Sequence, residues 1–142
     1  MLSKFQKKLL MNKLVKDYAN AYENLNKDTL EEVLNCVDEE LLFIDPFNEI
    51  KGKENFKNLF IEMFKKIEGP KFKILNLSNN NEIFFIKWSF SGIYKKKFWI
   101  EGISEITVKN NLIIKHVDYW DSGKNFYCNL PLIGGLFKKF HS

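Results

Sequence analysis

Two short stretches of the chain have the residue types and spacing for proton chemistry. His116, Asp118 and Trp120 lie two apart in the extended run 112–120, so their side chains share one face while Val117, Tyr119 and Asp121 share the other. A carboxylate beside an imidazole fixes its tautomer and stabilises the imidazolium, which suits a general acid or base near neutral pH. The same two side chains could equally form a satisfied polar pair at a sheet end. Asp45 precedes Pro46, which lacks a donor and ends a strand, so Asp45 is expected at a strand end beside a mouth, on the same face as Phe43. Partial burial there raises a carboxyl pKa toward that of a useful base unless donors oppose it. The structural alternative is an Asp that closes the turn by accepting backbone N–H groups.

The elements around these residues follow from periodicity. Leu10, Leu14, Tyr18, Ala21, Tyr22 and Leu25 recur at three and four, which predicts a helix ending near Asn26. Asp28 is a candidate cap for a short second helix carrying Leu30, Val33, Leu34 and Val37, followed by an extended segment over 41–47. Phe56, Leu59, Phe60, Met63, Phe64 and Ile67 predict a third helix, led by Gly52 and closed by Gly69-Pro70. Phe56, Phe60, Met63 and Phe64 read mainly as core. The segments 71–77, 83–94, 98–108 and 112–120 alternate or are rich in β-branched and aromatic residues, with turns at 79–81, 95–97 and 110–111. Three helices in the N-terminal half followed by an antiparallel meander predict one α+β domain spanning 1–142. Its segment 122–142 should be a C-terminal docking tail, because Tyr127, Leu130, Leu132, Ile133, Leu136, Phe137 and Phe140 would otherwise be an exposed apolar patch.

Composition narrows the function. The 142 residues are 45% hydrophobic, enough for a core without disulfides or metals. Fourteen Phe, three Trp and five Tyr suit a fold that fills or lines a large interior with rings. All 22 basic residues are Lys, so no guanidinium fork is present and specific nucleic-acid binding is disfavoured. Cys36 and Cys128 form neither a metal spacing nor a disulfide framework, which points to reduced thiols in a cytoplasmic protein, with Cys36 in the core. No apolar run approaches the roughly 20 residues of a membrane span. The acid-free start, 1–16, reads as a structural lead-in helix. No phosphate loop, nucleophile elbow or zinc spacing occurs, so the reading requires neither a cofactor nor a metal.

The order of elements, together with Asp45-Pro46-Phe47, Gly52-Lys53-Glu54 and His116-Val117-Asp118-Tyr119-Trp120-Asp121, resembles the SnoaL-like and ketosteroid isomerase-like branch of the nuclear transport factor 2 superfamily. The resemblance covers almost the whole chain. It implies a cone-like, strongly curved mixed or antiparallel sheet whose helices enclose a cavity, with His116, Asp118 and Trp120 facing inward. In the isomerases the Asp of the matching Asp-Pro-Phe is the general base, a position held here by Asp45. The same enzymes complete an oxyanion site with a Tyr and a protonated Asp. Here Ser104 aligns with that Asp, and Asn20 or Ala21 with the Tyr, leaving Tyr18 and Tyr22 nearby, so ketosteroid isomerisation itself is not expected.

The functional expectation is a small-molecule-binding protein, or a cofactor-independent acid–base enzyme of isomerase, cyclase or dehydratase type. Its ligand would be an apolar carbonyl or hydroxyl compound. Asp45, His116 and Asp118 would do the chemistry, and Tyr22, Ser104, Trp120 and Phe60 would shape the site. A homodimer is expected, and the rival reading is a non-catalytic module that uses the curved sheet as a dimerisation or partner surface.

Overall fold

The computed structural model describes residues 1–121. Its elements run α1 (Lys4–Glu23), α2 (Leu30–Leu34), β1 (Val37–Ile44), β2 (Glu49–Lys51), α3 (Lys53–Lys66), β3 (Glu68–Asn80), β4 (Ile83–Tyr94), β5 (Lys96–Lys109) and β6 (Leu112–Trp120). The strands form one mixed, curved and unclosed sheet in the order β2-β1-β6-β5-β4-β3, with β1 parallel to β6 and every other pair antiparallel. Register shifts in β1–β6, β3–β4 and β5–β6 bend the strands, the usual effect of an extra residue in one member of a pair. The three helices cover the concave face. Tyr18, Phe56, Phe84, Ile106 and Ile113 meet there with almost no exposure.

Several boundaries differ from expectation for local physical reasons. Helix α1 ends at Glu23, and it buries Val15, Tyr18, Ala19 and Ala21, with Leu14 and Tyr22 packed against the core, whereas Leu10 is exposed. Its start is fixed by a capping box in which Ser3 and Gln6 satisfy each other's backbone N–H. Thr29, not Asp28, is the cap residue of α2, and Asp28 gives its backbone N–H to Asn26. The sequence reading missed β2, a three-residue strand pairing with the end of β1. Gly69-Pro70 does not stop α3, which ends at Lys66. The pair lies inside β3, where Gly69 takes a φ of 60° at a register shift and Pro70 is tolerated because β3 is an edge strand. Two hairpin turns are tighter than expected, at 81–82 and at Lys95, and the third lies at 110–111 as expected; Asn81, Lys95, Asn110 and Asn111 all take the left-handed conformation that closes short β-turns.

Cys36 is buried as expected, and burial pushes its thiol up to about 11, which keeps it inert. Among the described residues no helix is long and apolar enough to cross a membrane. The expected docking tail and Cys128 lie outside the described residues.

Candidate active site

Asp45 owes its position to the turn that joins β1 to β2. Its backbone N–H donates to the carbonyl of Asn48 at 3.0 Å, while its Oδ1 accepts the N–H groups of Phe47 at 2.7 Å and Asn48 at 2.8 Å. Oδ1 thus closes the turn, as the structural reading required. Oδ2 behaves differently: it is buried and has no hydrogen-bond partner among the described residues. Asp45 as a whole is 7% exposed, and its carboxyl is raised to about 6. Burial is the main cause; repulsion from Asp118 adds to it, and the turn's N–H donors oppose it.

Asp45 lines an interior pocket of about 60 Å³, room for a few waters or one small ligand. Its walls are apolar and largely aromatic, with Tyr22 from α1, Phe60 from α3, Trp88 and Phe90 from β4, and Asp118 and Trp120 from β6. A shallow depression on the outside of the sheet end is lined by Ile44, Asp45, Pro46, Val117, Asp118, Tyr119 and Trp120. Asp45, Asp118 and Trp120 are common to both, so they stand between interior and solvent. Trp120 rests against Phe47, with ring centroids 5.7 Å apart.

His116 lies deeper. It is 2% exposed and lines an adjoining space of about 20 Å³ rather than the pocket that holds Asp45; Tyr22, Phe72, Trp88 and Asp118 line both. Both ring nitrogens are engaged, Nδ1 with the Tyr18 hydroxyl and Nε2 with Asp118 Oδ1, each at 2.7 Å. A carboxylate can only accept, so Nε2 donates to Asp118, while Nδ1 and the Tyr18 hydroxyl share the other hydrogen bond. Ser104 donates its hydroxyl proton to the same Asp118 oxygen and accepts from the Trp88 indole N–H at 2.8 Å. Tyr18, His116, Asp118, Ser104 and Trp88 therefore form one connected buried network. The Tyr22 hydroxyl lies 3.5 Å from that of Tyr18, and burial raises both phenols well above their ordinary range, keeping them neutral donors.

The structure thus brings Asp45, Asp118, Tyr22, Phe60 and Trp120 to one pocket and places His116 and Ser104 behind Asp118. Among the described residues no group of three or more His, Cys, Asp or Glu side chains could hold a metal ion.

A family model described as the SnoaL-like domain matches residues 18–116. The chain belongs to the SnoaL-like family. The match spans α1 to β6, so the SnoaL-like domain includes Tyr18, Asp45 and His116 but stops before Asp118 and Trp120. Among solved structures, an LEH-like epoxide hydrolase from M. tuberculosis is 16% identical over 93% of this chain and 92% of its own, with a TM-score of 0.69. A protein from Catenulispora acidiphila with a ketosteroid isomerase-like fold, crystallised with trimethylamine, is 15% identical over 76% of this chain and 85% of its own, with a TM-score of 0.65. A nuclear transport factor 2-like protein from Burkholderia pseudomallei is 9% identical over 82% and 95%, with a TM-score of 0.72. At these identities the likeness shows the fold alone. No curated protein matches the sequence.

Two members of the site in this SnoaL-like domain, Tyr18 and Trp88, were not among the site residues expected from the sequence. Tyr18 had a visible signal, because it lies one turn before Tyr22 on the same helix face. Trp88 had a weaker one: it pairs across β4 and β5 with Gly102, where an added Cβ would lie 2.5 to 2.6 Å from indole carbons. A glycine opposite a tryptophan in alternating strands marks a ring lying flat across its neighbour.

Proposed function

We propose that the chain is a small-molecule-binding SnoaL-like protein whose pocket carries out cofactor-independent acid–base chemistry, with Asp45 as the base. The observation that carries this reading is the unpartnered, buried Asp45 Oδ2 at an apolar pocket, on a carboxyl held near neutrality. A carboxylate in that state has one oxygen locked by backbone donors and the other free to take a proton from a bound carbonyl or hydroxyl compound. Asp118 faces the same pocket and is oriented by His116 and Ser104. It is placed to hold or return a proton, with His116 as the group that positions it. Tyr22, Phe60 and Trp120 shape the pocket. An epoxide hydrolase and a trimethylamine complex among the structural neighbours support small-molecule work in this fold.

A thermal-shift screen of steroids, polyketides, terpenoids and smaller hydroxyl or carbonyl compounds tests the reading. Hits should raise Tm of the parent, and Asp45→Asn should still bind them while losing any turnover. If no compound shifts Tm, or if turnover survives Asp45→Asn, the proposal fails.

The outer face of the sheet favours a second role, as a homodimer surface. Trp99 and Tyr119 are each 56% exposed there, beside Ile103 and Phe85. Ile103 pairs directly with Tyr119, and Trp99 and Phe85 lie on the same exposed face of β5 and β4. Light scattering should give a dimer that Ile103→Glu dissociates. A monomeric parent would remove this role and leave the pocket untouched.

A further inference from the structure

We infer that the ligand of this pocket carries a small organic ammonium group, of about trialkylammonium size, held between Asp45 and a cage of aromatic rings. The inference rests on the reading of the pocket as a binding site and names the chemistry that fits it; toward this ammonium group Asp45 acts as counter-ion, not as base. The polar side chains among its described lining residues are Tyr22, Trp88 and Trp120 and the carboxyls of Asp45 and Asp118; no Lys or His is among the described residues that line it. The hydroxyl of Tyr22 is directed to Tyr18 and the indole N–H of Trp88 to Ser104, so neither is committed to Asp45. The negative charge of Asp118 is shared with His116 and Ser104, whereas Asp45 Oδ2 has no such partner among the described residues.

Rings of Tyr22, Phe60, Phe72, Trp88, Phe90 and Trp120 supply much of the remaining surface, and aliphatic side chains from α3 and β5 complete it. Aromatic rings around a carboxylate are the environment that stabilises alkylated ammonium, whose charge is spread over methyl groups and attracted by ring quadrupoles. A neutral hydroxyl would satisfy the orphaned oxygen but leave two neighbouring carboxyls to repel each other. A cation relieves both. A trialkylammonium also keeps one N–H, which donates to Asp45 Oδ2 as a charge-assisted bond while its alkyl groups meet the rings. At about 60 Å³ the space suits a head group of a few heavy atoms.

The test is a pair of titrations at neutral pH, following the indole N–H signals of Trp88 and Trp120 by NMR. One ligand is trimethylammonium chloride; the other is tert-butanol, which has three methyls and a donor but no charge. Trimethylammonium should bind about tenfold more tightly or better. Asp45→Asn should bring the two ligands within about twofold of each other, chiefly by weakening trimethylammonium, while tert-butanol still moves the indole signals and so reports an intact pocket. Equal or tighter binding of tert-butanol to the parent overturns the ammonium inference and leaves the pocket reading standing. A preference that survives Asp45→Asn overturns it as well. No response of either indole to either ligand sinks both.

Discussion

Asp45 gives each of its carboxylate oxygens a different role. Oδ1 closes the turn on Phe47 and Asn48, and Oδ2 is buried with no hydrogen-bond partner among the described residues. The folded protein holds the Asp45 proton more tightly than the unfolded chain, since 3.8 becomes about 6. Its stabilising effect is therefore fully present below about pH 4 and is lost as pH rises through about 6. Asp45→Asn never ionises and escapes that loss. Its Tm should gain on the parent between pH 4 and 7, by a free energy of at most about 3 kcal/mol in urea titrations. A constant gap between the two proteins across that range would contradict the assignment. Tyr18→Phe should cost about 1–3 kcal/mol, because it leaves His116 Nδ1 buried without its hydrogen-bond partner. A change of a few tenths would mean the contact is dispensable. Strand alternation was enough to put His116, Asp118 and Trp120 on one face. It could not show how deep each lies, which is why His116 was expected in the same pocket as Asp45 and is found beyond Asp118.

At the scale of elements, the short β1–β2 connection does most to build the site. Four residues, Asp45 to Asn48, reverse the chain, end the first strand and aim a carboxylate inward. The sequence showed the stop at Pro46 but not the return strand, because three residues of Glu49–Lys51 are too few for a periodic signal. Helix α3 was legible for the opposite reason: Phe56, Leu59, Phe60 and Met63 repeat over three turns and are all buried. Its end was misjudged because Gly69-Pro70 marks a break equally well in a helix and in an edge strand. The β4–β5 pairing positions Trp88, and through it Ser104 and Asp118. Gly102→Ala should displace the indole, cost about 1–3 kcal/mol by overpacking, and move the Trp88 indole N–H signal. An unchanged signal and Tm would show that the ring tolerates a methyl there.

For the whole molecule, the fold was more legible than the activity. Helices first and a meander afterwards define the layers, while the chemistry depends on a few side chains whose depth and partners no pattern encodes. Ser104 illustrates this. It stands where the resemblance places a second acid, and its hydroxyl is spent on Asp118 rather than offered to a ligand. Turnover of a 5-ene-3-ketosteroid should therefore be negligible, since losing one oxyanion donor costs about a hundred- to a thousandfold. Robust isomerisation in an absorbance assay would overturn that view of the site. The apolar residues between Tyr127 and Phe140 lead us to propose that the tail docks as a lid or dimer element. Ending the chain at Asn125 should then lower Tm or change the oligomeric state, and a truncated chain unaltered in both would exclude it.

The account rests most on Asp45 being a buried, near-neutral acid at the pocket. Carboxyl-carbon NMR of protein labelled at Asp, with the Asp45 signal assigned by its loss in Asp45→Asn, measures this directly as pH is varied. The account predicts a midpoint near 6. A midpoint at an ordinary aspartate value near 4 would mean that the carboxyl is solvated or fully partnered, and would contradict Asp45 as the base of this site.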